Sequence, residues 1–209
     1  GVVTKTGVGL KLASALLDFA GGLMLPTLFF TMITALLLGM GVPTTANYVI
    51  TSTIAAPALL QMGVPVLAAH MFVFYFGIIA DVTPPVALAA YAGAGISGGN
   101  ALKTGVHASK LAVAAFIIPY IFVLSPVILM VDATPLTLIM ATLSALAGMI
   151  AVSSALCGFL ADHCRPYERL LLIIAGLLMI KPGGMTDLVG CAIFAAILAL
   201  QYTRVKKAA

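Results

Sequence analysis

The chain has 209 residues, of which 63% are hydrophobic and 8% are charged, with a formal net charge of +4 and a mean hydropathy of +1.22. Soluble domains carry about 25% charged residues, so this composition excludes a soluble globular protein and predicts an all-α integral membrane protein embedded in a lipid bilayer. The basic residues are spread over the ends of apolar segments rather than gathered on one face, which argues against a nucleic-acid partner.

The N-terminal residues have membrane character but do not begin with Met, which predicts a piece of a larger protein. Residues 1–22 are rich in glycine and only weakly apolar, and they contain Lys5, Lys11 and Asp18. They are predicted to form the end of one helix followed by a short interfacial helix.

Residues 23–62 contain two apolar arms separated by an uncharged segment rich in Gly, Pro and Thr. A pair of full spans and a re-entrant hairpin would both return the chain to the side from which it entered. The absence of charge in the turn favours a re-entrant hairpin whose tip is buried in protein, with Pro43 at the first helical position of the second arm. The tip residues that provide unusual backbone angles or side-chain oxygens are Gly39, Gly41, Val42, Pro43, Thr44, Thr45 and Asn47.

Residues 66–97 form an apolar run with one charged side chain, Asp81, at its midpoint and two prolines close behind it. The prolines interrupt a helix, so the carbonyl groups of residues 77–82 are expected to lose their helical partners. In hydrocarbon, irregular backbone survives only where it is buried in protein or lines a watery cavity. A broken helix at the bilayer centre is therefore a candidate ion or substrate site. The residues at this break are Val82, Thr83, Pro84 and Pro85.

Taken together, the tip and the break offer backbone, hydroxyl and amide oxygens, which are hard ligands suited to sodium. Helices starting at Pro43 and Pro84 would present positive ends to an anionic group. Two simpler readings remain open: the break is only a packing kink, and Asp81 is either a proton relay or a capping carboxylate. His70 is interpreted as an interfacial hydrogen-bonding residue, too far along the helix from Asp81 for an intramembrane enzyme.

Residues 98–131 are predicted to hold an interfacial helix and a span, and residues 136–209 about three further membrane segments. The three cysteines have no paired spacing and are interpreted as small apolar fillers rather than metal ligands. If residues 170–180 cross, the positive-inside rule places three basic clusters and the C-terminus in the cytoplasm. These clusters are Lys103 with Lys110, Arg165 with Arg169, and the tail at 204–207.

Three motifs in order carry a resemblance to a known family: the tip sequence of residues 39–48, the segment 68–76 and the segment 82–87. The chain resembles the C-terminal half of the large membrane subunit of tripartite ATP-independent periplasmic (TRAP) transporters, of the fused-permease kind that works with TAXI-type binding proteins. The likeness covers about residues 1–130, and the helices beyond resemble the C-terminal extension of some fused permeases.

The resemblance implies half of an elevator-type secondary transporter in the prokaryotic cytoplasmic membrane, and not an enzyme. It implies import of an organic acid, a dicarboxylate or related carboxylate, with sodium and without an organic cofactor. The expected partners are a periplasmic substrate-binding protein and the rest of the permease, meaning its N-terminal half and small-subunit region. The alternatives are a proton-coupled transporter using Asp81 and a non-transporting membrane scaffold.

In the family, a hairpin tip and a broken helix hold one sodium ion. Carried over to this chain, the tip and break residues named above become the ion site. Thr45, Asn47 and Pro85 become candidate substrate contacts, and Asp81 a possible coupling residue.

Overall fold

The computed structural model describes residues 8–180 and 184–208, so the predictions for residues 1–7 and for the turn at 181–183 lie outside the described part. The described residues form helices joined by turns, with one isolated bridge between Phe159 and His163 and no strand. The predicted all-α membrane class is confirmed. The chain divides into two compact units, Gly1–Val123 and Leu124–Ala209.

The first unit contains a hairpin, an interrupted helix and the helices that pack against them. Its helices are α1 (Val8–Phe19), α2 (Met24–Gly39), α3 (Thr44–Ile54), α4 (Ala56–Gln61), α5 (Val66–Ile79), α6 (Leu88–Ser97), α7 (Ala101–Leu111) and α8 (Val113–Leu124).

The hairpin is formed by α2 on one side and by α3 with α4 on the other, and both α2 and α3 pack against α5. Helix α2 has 16 residues and α3 has 11. A bilayer crossing needs about 20 helical residues, so α2 is shorter than an untilted span, whereas the second arm, α3 continued by the 6 residues of α4, is close to one.

Aromatic side chains hold α8 against the middle and the C-terminal half of α5. The rings of Phe72 and Phe76 lie edge to face, and both are fully buried. Tyr120 of α8 contacts each of these rings, and its hydroxyl donates to the sulfur of Met32 at 3.3 Å. These contacts join α2, α5 and α8 into one core that fixes the position of the hairpin on the interrupted helix.

The apolar run of residues 66–97 is interrupted where the prolines predict it. Helix α5 ends at Ile79, a 3-10 turn covers Ala80–Val82, and α6 begins only at Leu88. The predicted helix start at Pro84 is therefore wrong. Because each residue before a proline favours extended backbone, neither Thr83 nor Pro84 can enter a helix, and Thr83 is extended with φ −107° and ψ 125°.

The second unit is a bundle of three helices preceded by a 3-10 turn at Pro126–Leu129. The helices are α9 (Pro135–Cys157), α10 (Pro166–Ile180) and α11 (Gly184–Ala208). The span predicted within residues 98–131 ends earlier, at Leu124, because Pro126 prevents the preceding residue from continuing the helix.

Three described stretches are long and apolar enough to cross a membrane: Ala101–Leu124, Pro135–Cys157 and Gly184–Lys206. The first joins α7 and α8, whereas the sequence predicted α7 as a separate interfacial helix. Helix α10 has 15 residues, so it is shorter than an untilted crossing requires.

Glycines allow the three helices of the second unit to approach closely. A Cβ atom at Gly148 would lie 2.9 Å from the carbonyl oxygen of Gly176, and one at Gly190 would lie 2.8 Å from that of Ala175. Small residues at helix contacts are the usual means of packing helices within a membrane, where lipid tails are as apolar as the side chains.

Candidate cation site at the hairpin tip and the helix break

The hairpin tip turns through four residues between the end of α2 and the start of α3. Met40 is extended, and Gly41 has a φ of +70°, which a residue with a side chain rarely adopts. Pro43 precedes the helix as its N-cap residue rather than occupying the predicted first helical position. No side chain caps α3, so the donors of its first turn remain available to a ligand.

The side chain of Asn47 lies between the two glycines where α2 and α5 come closest. A Cβ atom at Gly39 would overlap the carbonyl oxygen of Gly77 and lie 2.9 Å from Asn47 Nδ2. A Cβ atom at Gly77 would lie 2.5 Å from Asn47 Oδ1. Both positions therefore require glycine, and together they bring the hairpin tip against α5 five residues before the break.

The amide oxygen of Asn47 is buried without a hydrogen-bond partner among the described residues. The side chain is 2% exposed, and its Oδ1 accepts no hydrogen bond. The backbone of Asn47 is hydrogen-bonded at both polar groups. Its N–H group donates to Pro43 O at 2.8 Å, and Thr51 Oγ1 donates to Asn47 O at 2.9 Å. A buried polar atom left without a donor is uncommon, and it marks a position where a ligand can supply the missing interaction.

A second unpaired oxygen belongs to Thr31 on α2. The neighbouring Thr27 and Thr34 donate to the carbonyl groups four residues earlier, at 2.8 Å and 2.9 Å. Thr31 is fully buried, yet its hydroxyl has no such bond in the described structure. Thr31 lies eight residues before Gly39, about 12 Å along the helix, so it stands apart from the tip.

The carbonyl groups at the break are mostly paired, which corrects the expectation that residues 77–82 would lose their partners. Thr83 donates from Oγ1 to Ile79 O at 2.8 Å and from its backbone nitrogen to Ala80 O at 3.2 Å. The backbone nitrogen of Ala80 also donates to Ile78 O. The hydroxyl of Ser109 on α7 reaches Val82 O at 3.1 Å.

Helix α6 completes the far side of the break. The Tyr91 hydroxyl donates to Pro85 O at 2.7 Å, and Ala87 closes the turn in left-handed geometry with a φ of +38°. Prolines remove donors, so hydroxyl groups from neighbouring turns replace them.

The predicted site residues divide into three groups by burial. Gly39 and Asn47 are buried against α5, and α2 also packs against the 3-10 turn that contains Val82. Val42, Val82, Thr83 and Pro84 are half-buried. The exposed residues are Gly41, Pro43, Thr44, Thr45 and Pro85.

The two ionisable residues discussed from the sequence occupy different surroundings. Asp81 is half-buried in the 3-10 turn, and no described residue donates to its carboxylate. The Nδ1 atom of His70 lies 3.0 Å from the hydroxyl oxygen of Tyr48, and this hydrogen bond joins α3 to α5. Among the described residues, no three His, Cys, Asp or Glu side chains group as metal ligands.

The sequence did not single out Gly77, Thr31, Ser109 or Tyr91. Gly77 carried a usable signal, because it is the one glycine in α5, and a lone glycine in an apolar helix often marks close backbone approach. Ser109 carried none, since its acceptor lies 27 residues away.

Comparison with known proteins agrees with this geometry. The family described as "Tripartite ATP-independent periplasmic transporter, DctM component" matches residues 1–137, which include the hairpin, the interrupted helix and α7 with α8. No curated protein and no solved structure matches the chain. The match covers more than half of the chain, so this protein belongs to the DctM family of TRAP transporter permease components, which are transporters and not enzymes.

Proposed function

We propose that this chain is part of the permease of a sodium-coupled secondary transporter that imports an organic acid delivered by a periplasmic binding protein. Membership of the DctM family supports the transporter class and the existence of a binding-protein partner and a further permease part. Beyond family membership, we propose sodium coupling, a carboxylate substrate and a binding protein of the TAXI type.

The observation that carries the sodium proposal is the buried, unpaired amide oxygen of Asn47. In a membrane-embedded core, an oxygen without a donor is unfavourable by about 1–3 kcal/mol, and a bound cation removes that penalty. The oxygen faces Gly77, so a ligand at this point would lie between the hairpin tip and the interrupted helix. Sodium suits the site because the amide oxygen of Asn47 and the carbonyl oxygen of Gly77 at the same contact are neutral, hard ligands.

The organic acid would bind on the exposed side of the tip. Thr44 and Thr45 begin α3, and the backbone donors of that first turn have no side-chain cap. A helix N-terminus with free donors favours a carboxylate through both hydrogen bonds and the helix dipole. A cation behind the tip and an anion in front of it would each increase the affinity for the other.

The second unit supports a cytoplasmic C-terminus. The guanidinium group of Arg204 bonds to Glu168 in the first turn of α10, so the basic residues of the 165–169 segment and of the tail share one end of the bundle. A shared end satisfies the positive-inside rule with a single assignment.

The test is uptake into proteoliposomes that contain the permease carrying this chain, together with its binding protein. Radiolabelled mono- and dicarboxylates are offered under an inward sodium gradient, under an equal potassium gradient and under a proton gradient. We expect accumulation only with sodium, and an unchanged sodium dependence in Asp81→Asn. Uptake that follows the proton gradient and disappears in Asp81→Asn would refute sodium coupling and establish proton coupling.

A further inference from the structure

The hydroxyl group of Ser109 stands between two carbonyl oxygens. It lies 3.1 Å from Val82 O in the 3-10 turn and 3.0 Å from Gly105 O in its own helix. A serine hydroxyl has one proton, so it can donate fully to only one of these acceptors at a time. Ser109 can therefore exchange an acceptor at the break for one in α7 without losing a hydrogen bond.

Close packing keeps Ser109 within reach of the break. One turn before it, a Cβ atom at Gly105 would lie 3.2 Å from Pro84 Cγ and 3.2 Å from Tyr91 Cε1. A side chain at that position would require Pro84, Tyr91 or α7 to shift by a few tenths of an ångström, so the glycine allows the closest approach of Ser109 to Val82. Since Ser109 itself is half-buried, solvent replaces this bond poorly.

We propose that Ser109 is a positioning residue for Val82, one of the residues of the predicted ion site. Its hydroxyl holds the Val82 carbonyl group while no cation is bound and turns to Gly105 O when a cation binds. This inference rests on the proposed cation site. A bond to Val82 that exists only in the cation-free state stabilises that state, so it opposes cation binding and lowers the affinity. The serine also prevents an unpaired carbonyl group at the break when the site is empty.

Loss of the Ser109 hydroxyl should change the affinity for sodium in one direction only. Removing the hydroxyl in Ser109→Ala leaves the Val82 carbonyl group without its donor only in the cation-free state, so the affinity for sodium should rise. The loss of one hydrogen bond corresponds to about a two- to tenfold change in a binding constant. A residue with a merely structural role would alter the unfolding temperature without moving the sodium concentration at half-effect.

The experiment measures the unfolding temperature of the purified permease against sodium chloride concentration, with potassium chloride keeping the ionic strength constant. We expect Ser109→Ala to reach its half-maximal shift at about two- to tenfold less sodium than the wild type. Ser109→Thr retains a hydroxyl and should match the wild type. Ser109→Cys, with a weaker donor, should show a smaller shift in the direction of Ser109→Ala.

The matched control is Thr104→Ala on the same helix. Thr104 Oγ1 donates to Asn100 O, a bond of the same local pattern that does not involve the break, so its removal should leave the sodium concentration unchanged. An unchanged or higher half-maximal concentration in both Ser109→Ala and Ser109→Cys would overturn the inference. A wild-type permease with no sodium response would instead refute the cation site on which it rests.

Discussion

Two groups of buried polar side chains, one at an end of the three-helix bundle and one in the hairpin, are bonded in opposite ways. In the second unit, Glu168 and Gln201 are fully buried, and each is bonded to several donors or acceptors. In the first unit, Asn47 and Thr31 are just as buried, but an oxygen of each has no partner among the described residues. The same degree of burial therefore accompanies two different roles.

The network in the second unit leaves no capacity for a ligand. Glu168 Oε2 accepts from Arg165 N at 3.0 Å and from Gln201 Nε2 at 2.9 Å, while Oε1 accepts from the guanidinium group of Arg204. Gln201 Oε1 in turn accepts from Ala161 N at 3.1 Å and Asp162 N at 3.2 Å. These bonds tie α10, α11 and the segment between α9 and α10 together at one end of the bundle.

Arg169 adds a second set of hydrogen bonds at the same end of the bundle. Its guanidinium group donates to Ala155 O at 2.9 Å and to Leu156 O at 3.2 Å, which are carbonyl groups in the last turn of α9. It also packs over Gly158, where a side chain would collide with it. A buried network with every member bonded fixes a structure, whereas the unpaired oxygen in the hairpin tip keeps its capacity to accept a further interaction.

The largest effect that separates the two regions is expected from Glu168→Ala. The substitution leaves Arg204 and the buried Gln201 amide without their common acceptor, and removing the acceptor of buried hydrogen bonds typically costs about 1–3 kcal/mol. The free energy of unfolding of the purified permease should fall by that amount, and the sodium concentration at half-effect should stay unchanged. Asp132→Asn, an exposed carboxylate in the same unit, serves as the control. A loss below about 1 kcal/mol, or a change in sodium response, would contradict the assigned structural role.

Acid should weaken the same network without any mutation. Burial alone would raise the pKa of Glu168, but hydrogen bonds from the Arg165 backbone, Gln201 and Arg204, with the charge of Arg204, lower it to about 2. In the unfolded chain the pKa of a glutamate is about 4.3, so the ionised carboxylate stabilises the folded state.

That stabilisation is complete above about pH 5 and is lost as the pH falls through 4 towards 2. The unfolding temperature of the wild type should therefore approach that of Glu168→Gln across this range, because the variant has no such titration. Parallel curves for the two proteins between pH 6 and pH 3 would show that Glu168 is not held ionised.

Sequence patterns located both interruptions of the first unit because proline and glycine act locally. Pro84 and Pro85 remove backbone donors wherever they lie in a helix, and Gly41 permits a turn that other residues resist. The long apolar helices α9 and α11 follow in the same way from composition and length. At the two interruptions the helix starts were misplaced, since Pro43 precedes α3 and successive prolines delay α6 to Leu88.

Contacts between distant residues could not be predicted in this way. Asn47 meets Gly77, 30 residues further along, because two glycines remove the side chains that would otherwise separate α2 from α5. Nothing in either local sequence specifies its partner. The same limit hid the acceptor of Ser109. By contrast, the carbonyl group of Ile79 is satisfied locally, by the hydroxyl of Thr83 four residues later.

Asn47→Leu is expected to cause the smallest change in stability. It also tests most directly how the unpaired oxygen of the hairpin tip differs from the fully bonded network of the second unit. Leucine has the same branched side-chain shape and no polar atom, and the Asn47 oxygen has no hydrogen bond to lose. In potassium chloride the free energy of unfolding should therefore stay within about 1 kcal/mol of the wild-type value, because replacing an unsatisfied polar group by an apolar one is close to neutral. In sodium chloride the variant should show no stabilisation.

Asn100→Ala is the matched control for that experiment. Asn100 Oδ1 accepts from Lys103 N at 3.0 Å and caps α7, so its loss should cost about 1 kcal/mol while the sodium response persists. Asn100→Ala would then lower the stability without changing the sodium response. Asn47→Leu would abolish the sodium response without lowering the stability. If Asn47→Leu instead unfolds readily in potassium, or keeps its sodium response, the unpaired oxygen belongs to the packing of the hairpin tip and not to a cation site.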